Sequence, residues 1–273
     1  MIKIGIPAGS HRGYDASFAR IKEMGLTCCE INANPSRMTE QDIADILAAR
    51  DKYGLSLATF WCGLRGPHVW DFYDGQVTLG LVPATFRESR VNDLIAAVDI
   101  CKKLGIENII THCGYIPENP YSEVYREIIS VLRYICGIYK NNGLCFCFET
   151  GQETPVTLLR VIEDVGTGNL GINLDPANLL MYGKANPVDA VDIIGKYVRS
   201  VHAKDGEYPT DSRNLGVEKP IGQGRVNFPA LVAKLKQAGF GGSIIIEREI
   251  PEGPEQDRDI LSAKELLEKL VSQ

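Results

Sequence analysis

The sequence predicts an α/β fold, a (β/α)8 TIM barrel, and three observations carry the prediction. Eight short apolar runs alternate with eight longer amphipathic stretches along the 273 residues, helix-ending glycines fall where the stretches stop, and no Pro/Ser/Gly-rich linker interrupts them. Strict alternation implies a parallel sheet with right-handed crossovers, and eight such units close into a barrel. The length alone would admit two ordinary domains, but without a composition break a single domain over residues 1–273 is expected. A doubly wound dinucleotide-binding sheet would carry G-x-G-x-x-G after its first strand, where this chain offers Ile6-Pro7-Ala8-Gly9-Ser10-His11.

The first strand is read at Lys3–Pro7, directly after the amino terminus. No basic segment followed by an apolar stretch of about 7–15 residues precedes it, so a cytoplasmic location is expected. The remaining strands are read at Cys28–Asn32, Ser56–Trp61, Asn108–His112, Cys145–Glu149, Gly171–Leu174, Ser200–His202 and Ser243–Glu247, runs of mostly apolar or β-branched residues suited to parallel strands under helices. Between them, Thr39 with Gln41 and Asp42, Asn186-Pro187, and Asn227 before Phe228-Pro229 read as helix starts. The clearest helical patterns are Arg87–Leu104, Tyr121–Asn142, Phe228–Ala238 and Asp257–Val271, and Gly105, Gly143 and Gly239 close the first three.

Composition removes several function classes. Lys plus Arg number 29 against 35 Asp plus Glu, a net charge of −6, which argues against a nucleic-acid partner that would need a basic stripe. No apolar run approaches the roughly 18–20 residues that cross a bilayer, so no membrane partner is expected. The eight cysteines form no C-x-x-C pair and sit mostly within apolar runs, as buried reduced thiols would.

In such a barrel the chemistry sits at the carboxyl ends of the strands. There the fifth to eighth runs end in turn on Glu149, Asp175, His202 and Glu247. Three carboxylates converging on one partly dry rim repel one another unless a cation offsets them, and a divalent metal does so. Three oxygens and one nitrogen suit Mn2+ or Mg2+ and also admit Co2+ or Zn2+.

At these residues the chain resembles a known family, the xylose isomerase-like TIM barrels of sugar and sugar-phosphate isomerases and epimerases. The resemblance spans essentially the whole chain. It rests on Phe148-Glu149, Asn173-Leu174-Asp175-Pro176-Ala177-Asn178, Val201-His202-Ala203-Lys204-Asp205, the segment Ile221–Phe228 and Ile246-Glu247. It implies that Glu149, Asp175, His202 and Glu247 are the metal ligands, and that Glu149 and Glu247 exchange the substrate proton as in the family's ketose 3-epimerases. Several epimerases of free ketoses in the family carry a histidine three residues after the metal-binding Asp and an arginine six after the metal-binding His. Those positions here are Asn178 and Tyr208.

The substrate-contact candidates are His112, Lys204, Trp61, Asn178, Glu30 and Arg225. His112 ends the fourth strand and reads either as a pocket residue or as a satisfied core histidine. Glu30 could point inward to a hydroxyl or form a buried ion pair. Lys204 follows His202 by two and shares its side of the strand, where it could neutralise an enediolate or a phosphate, or pair with a strand-end carboxylate. Trp61 could stack on a sugar face. His11 and His68 fall on loops and are expected to be exposed, and Asp205–Arg225 is expected to be a mobile lid.

The expected function is a divalent-metal-dependent sugar or sugar-phosphate isomerase or epimerase that transfers a proton through a metal-stabilised enediolate. A keto-inositol dehydratase and a non-catalytic sugar-binding barrel are the alternatives, and the same chemistry is compatible with a homo-oligomer.

Overall fold

The computed structural model describes residues 2–273 and closes a barrel of eight parallel strands in the order β1-β10-β7-β6-β5-β4-β3-β2. These are β1 Lys3–Ala8, β2 Cys28–Ala33, β3 Ser56–Cys62, β4 Asn108–Thr111, β5 Cys145–Glu149, β6 Leu170–Leu174, β7 Val198–Ala203 and β10 Ser243–Ile246. Pairing of β1 with β10, Lys3 opposite Ser243, removes the open edges. On the other side of β1, close approach to β2 demands a small residue: a Cβ on Gly5 would lie 2.1 Å from the Cys28 carbonyl oxygen.

Among the described residues ten α-helices lie outside or above the strands: α1 Tyr14–Glu23, α2 Glu40–Tyr53, α3 Gly75–Thr78, α4 Ala84–Leu104, α5 Glu123–Asn141, α6 Pro155–Val165, α7 Pro176–Met181, α8 Pro187–Ile194, α9 Phe228–Gln237 and α10 Pro254–Ser272. The three sequence start signals hold. Thr39 forms a capping box with Asp42, Asn186 caps α8, and the Asn227 side chain accepts from the Ala230 N–H. Expected boundaries shift where a cap overrides periodicity: Ser122 accepts from Tyr125 N–H and starts α5 at Glu123, not Tyr121, while Pro83 precedes α4 and starts it at Ala84, not Arg87. Helix α10 begins at Pro254, three residues before the expected Asp257. Gly105 ends α4 with φ +71°, the left-handed turn only glycine takes freely.

Two short helices, α3 and α7, and a two-stranded antiparallel hairpin, β8 Asp205–Gly206 with β9 Glu218–Lys219, add to the simple alternation, all on the carboxyl side of barrel strands. The core fills both the barrel and the shell between strands and helices, with Phe60, Phe146, Phe148 and Phe228 fully or almost fully buried. Seven of the cysteines are buried and Cys145 is half-buried, none bonded to another. Among the described residues no helix is long and apolar enough to cross a membrane.

Candidate metal centre

Each of the four strand-end groups is delivered by a different barrel strand. Glu149 is the last residue of β5, and His202 lies within β7. Asp175 follows β6 as the N-cap of α7, where its carboxylate accepts the Asn178 N–H at 2.8 Å. Glu247 follows β10, its N–H donating to the Ala203 carbonyl. One donor atom from each residue lies within 4.8 Å of the others.

His202 is the hub. Its Nε2 lies 3.0 Å from Glu30 Oε2, and the same carboxylate oxygen accepts the Thr59 hydroxyl at 2.7 Å. With Nε2–H given to Glu30, Nδ1 faces Glu149 Oε1 at 3.0 Å and Glu247 Oε1 at 3.2 Å. A nitrogen lone pair between two carboxylates is repulsive unless a proton or a metal ion occupies the gap. Asp175 Oδ2, buried in the same cluster, has no hydrogen-bond partner. The donor set, its mutual spacing and this orphaned oxygen fit one divalent cation at bond lengths of about 2.0–2.3 Å.

The other oxygen of Glu149 faces the cavity wall. Trp61 Nε1–H donates to Oε2, and His112 Nε2 lies 3.1 Å from it, while His112 Nδ1 contacts the Gln152 side-chain oxygen.

A family model described as "Xylose isomerase-like TIM barrel" matches residues 18–270. The chain belongs to that family. It is 31% identical to an uncharacterized protein of Methanocaldococcus jannaschii over 94% of this chain and 84% of that protein. The crystal structure of a xylose isomerase domain protein from Planctomyces limnophilus superposes with TM-score 0.91 at 33% identity, covering 98% of this chain and 97% of that one. A D-tagatose 3-epimerase-like protein shares the fold with TM-score 0.75 at 24% identity, over 99% and 97% of the two chains.

In this xylose isomerase-like barrel, burial and charge act in opposition around the hub. Burial alone would raise the Glu149 carboxyl, but His112 and His202 outweigh it and hold it well below the ordinary range. Burial would depress His202, and the field of Glu247, Glu30 and Glu149 instead drives it well above its usual value. Burial pushes Asp175 up to about 7 against the pull of Lys204. The field that draws a proton to His202 is the field that attracts a metal ion.

A cavity of about 280 Å3 opens over the cluster, walled by Trp61, Trp70, His112, Asn178 and Lys204 with Glu149 and Glu247 at its base. Lys204, buried, pairs with Glu249 at 2.7 Å and stands 3.8 Å from both Asp175 and Glu247. Of the substrate-contact candidates, Glu30 takes its buried-pair alternative and Arg225 is corrected. Glu30 is fully buried beneath His202 and does not reach the cavity. Arg225 is exposed outside it, held by its backbone N–H to the Gly206 carbonyl. His68 is half-buried and stacks near Trp70 rather than standing exposed, whereas His11 is exposed and pairs with Glu252.

The expected lid is tied down at both ends. Its hairpin pairs Asp205 with Lys219 and Gly206 with Glu218, and only Leu215 from it reaches the cavity. Sequence reasoning passed over Asn32 and Glu249, which also line the cavity. Asn32 ends the second apolar run, so the strand-end rule would have found it had amides been counted with acids and imidazoles.

Proposed function

We propose that this protein is a divalent-metal-dependent sugar isomerase or epimerase that moves a proton on a carbon next to a carbonyl. The observation that carries the reading is the pair of carboxylates, Glu149 and Glu247, that share His202 Nδ1 at the floor of a sugar-sized cavity. The D-tagatose 3-epimerase-like barrel supports the same class.

A bound divalent cation would supply Lewis-acid stabilisation of the negative charge that develops on substrate oxygens. Glu149, Asp175, His202 and Glu247 would hold it. Glu149 Oε2 and Glu247 Oε2 are the atoms assigned to take the proton and to return one, from strands separated by β6 and β7. Trp61 and His112 hold Glu149 in place, and Lys204 and Asn178 contact substrate hydroxyls. Glu149, Glu247 and Glu249 line the cavity and Lys204 is already paired with Glu249, so a neutral sugar suits the cavity better than a phosphate.

The test is solvent exchange: Mn2+-loaded protein incubated with a panel of ketoses in deuterated water incorporates deuterium at one carbon without losing water. Glu149→Gln lowers the rate by about 100-fold to 10,000-fold. Exchange by the variant at the wild-type rate overturns the mechanism, and loss of water from the product identifies a dehydratase instead.

A further inference from the structure

We propose that a second groove beside the metal cavity is a subsite for another sugar ring, so that the substrate is a disaccharide whose reducing-end ring, which opens to the carbonyl the reaction needs, enters the cavity while the attached ring lies in the groove. This rests on the sugar reading of the inner cavity. The groove, about 480 Å3, is formed by the segments that follow β1, β2 and β3. It shares Asn32, Trp61 and Trp70 with the inner cavity, so the two spaces are joined along an aromatic wall. The inner space, about 280 Å3, falls just below the roughly 300–1,000 Å3 of ordinary small-molecule sites and suits one ring.

The groove has the surface a neutral hydroxylated ring requires. Trp61, Trp70, Met38 and Leu64 offer apolar faces, while Arg37 and Asp42 offer polar groups. Asn34 Oδ1 is engaged by Ser36 and Asp42 Oδ2 by Thr39, which leaves the Asn34 amide hydrogens and Asp42 Oδ1 available to hydroxyls. Arg37 is exposed and forms no ion pair among the described residues. An anionic group would meet Arg37 but also Asp42 in the same lining, so the balanced charge selects against phosphate.

The wall is preformed. Trp70 keeps 44% of its surface exposed while its ring lies edge-on to His112, centroids 4.9 Å apart. The loop that carries it is clamped by Arg90, fully buried, whose guanidinium donates to the carbonyls of Arg65, Pro67 and Gly80. A rigid indole standing in water between two cavities adds binding area at little ordering cost.

The experiment is calorimetric titration of the Mn2+-loaded protein with glucose, methyl β-glucoside, cellobiose, maltose and lactose. At least one disaccharide is expected to bind tenfold or more tightly than its single-ring counterpart, and Arg37→Ala, on an exposed turn, brings that ratio down toward one. Equal affinity for one and two rings overturns the proposal, as does an Arg37→Ala variant that weakens both alike. Deuterium exchange separates this from the functional reading. Disaccharide binding without exchange on any sugar defeats the isomerase and leaves the subsite, while exchange on free ketoses with every disaccharide excluded defeats the subsite alone.

Discussion

Glu30 lines neither the metal cavity nor the groove beside it, yet it decides which nitrogen of His202 faces the metal cluster, because its carboxylate takes the Nε2 proton and leaves Nδ1 to Glu149 and Glu247. In Glu30→Gln the amide oxygen can keep the bonds from both Thr59 and His202, but the negative charge behind Nε2–H is lost and an NH2 group takes the place of Oε1, which is buried with no partner. The expected result is a fall of roughly 10–100-fold in Mn2+ affinity by calorimetric titration, and unchanged affinity would detach Glu30 from the metal centre. Glu153 has a different role. Both its oxygens are buried without partners, and burial pushes it from an ordinary 4.5 up to about 8. Between those values the unfolded chain has released the proton that the folded chain keeps, so stability falls as pH rises through this window and levels off above it. Glu153→Gln never ionises, so its stability relative to wild type rises from pH 5 to pH 9 in urea unfolding. Parallel decline in the two proteins would place the slope elsewhere. The metal ligands were legible because each ends an apolar run, whereas Glu30 sits inside one and its partners, Thr59 and His202, come from other strands.

At the scale of elements, the hairpin β8/β9 shows where periodicity runs out. The long segment Asp205–Arg225 after β7 reads as a mobile lid, but the Asp205 carboxylate gathers it. Oδ1 accepts the N–H groups of Gly206 and Val226, and Oδ2 those of Gly222 and Gly224. This also explains the Gly222-Gln223-Gly224 segment: a Cβ on Gly224 would lie 2.2 Å from Asp205 Oδ1. In Asp205→Asn, whichever way the amide sits, two N–H groups face its NH2. Leaving two donors unpaired, buried for Gly206 and Val226 and part-buried for Gly222 and Gly224, costs up to about 2–6 kcal/mol, measured by chemical denaturation against wild type. A loss within about 0.5 kcal/mol, the range of ordinary surface substitutions, would mean the loop is held by something else. The strands and most helices were legible because apolar periodicity and caps are local. This hairpin depends on one side chain reaching residues up to 21 positions away in sequence.

For the whole molecule, alternation of strands and helices was enough to predict closure, since eight parallel units with right-handed crossovers have little else to do with their edge strands. The groove beside the cavity was not legible, because its walls come from residues 10–14, 32–42 and 61–70, brought together only by the barrel order. The same closure makes metal binding a property of the whole fold. The four donors come from β5, the ends of β6 and β10, and β7, consecutive around the barrel, and they converge only when those strands are in register. An ion bound by the folded chain alone stabilises it by about 2.7 kcal/mol at a hundred times its dissociation constant. For a chain of this size that corresponds to a Tm higher by about 5 °C in Mn2+ than in a chelator, read by scanning calorimetry. Asp175→Asn keeps the cap on α7 through its amide oxygen but removes one negative donor from the cluster. The variant should therefore unfold at no lower a temperature than wild type in chelator and lose most of the Mn2+-dependent gain. A wild-type Tm indifferent to Mn2+ would show that the carboxylates around His202 are balanced by protons alone.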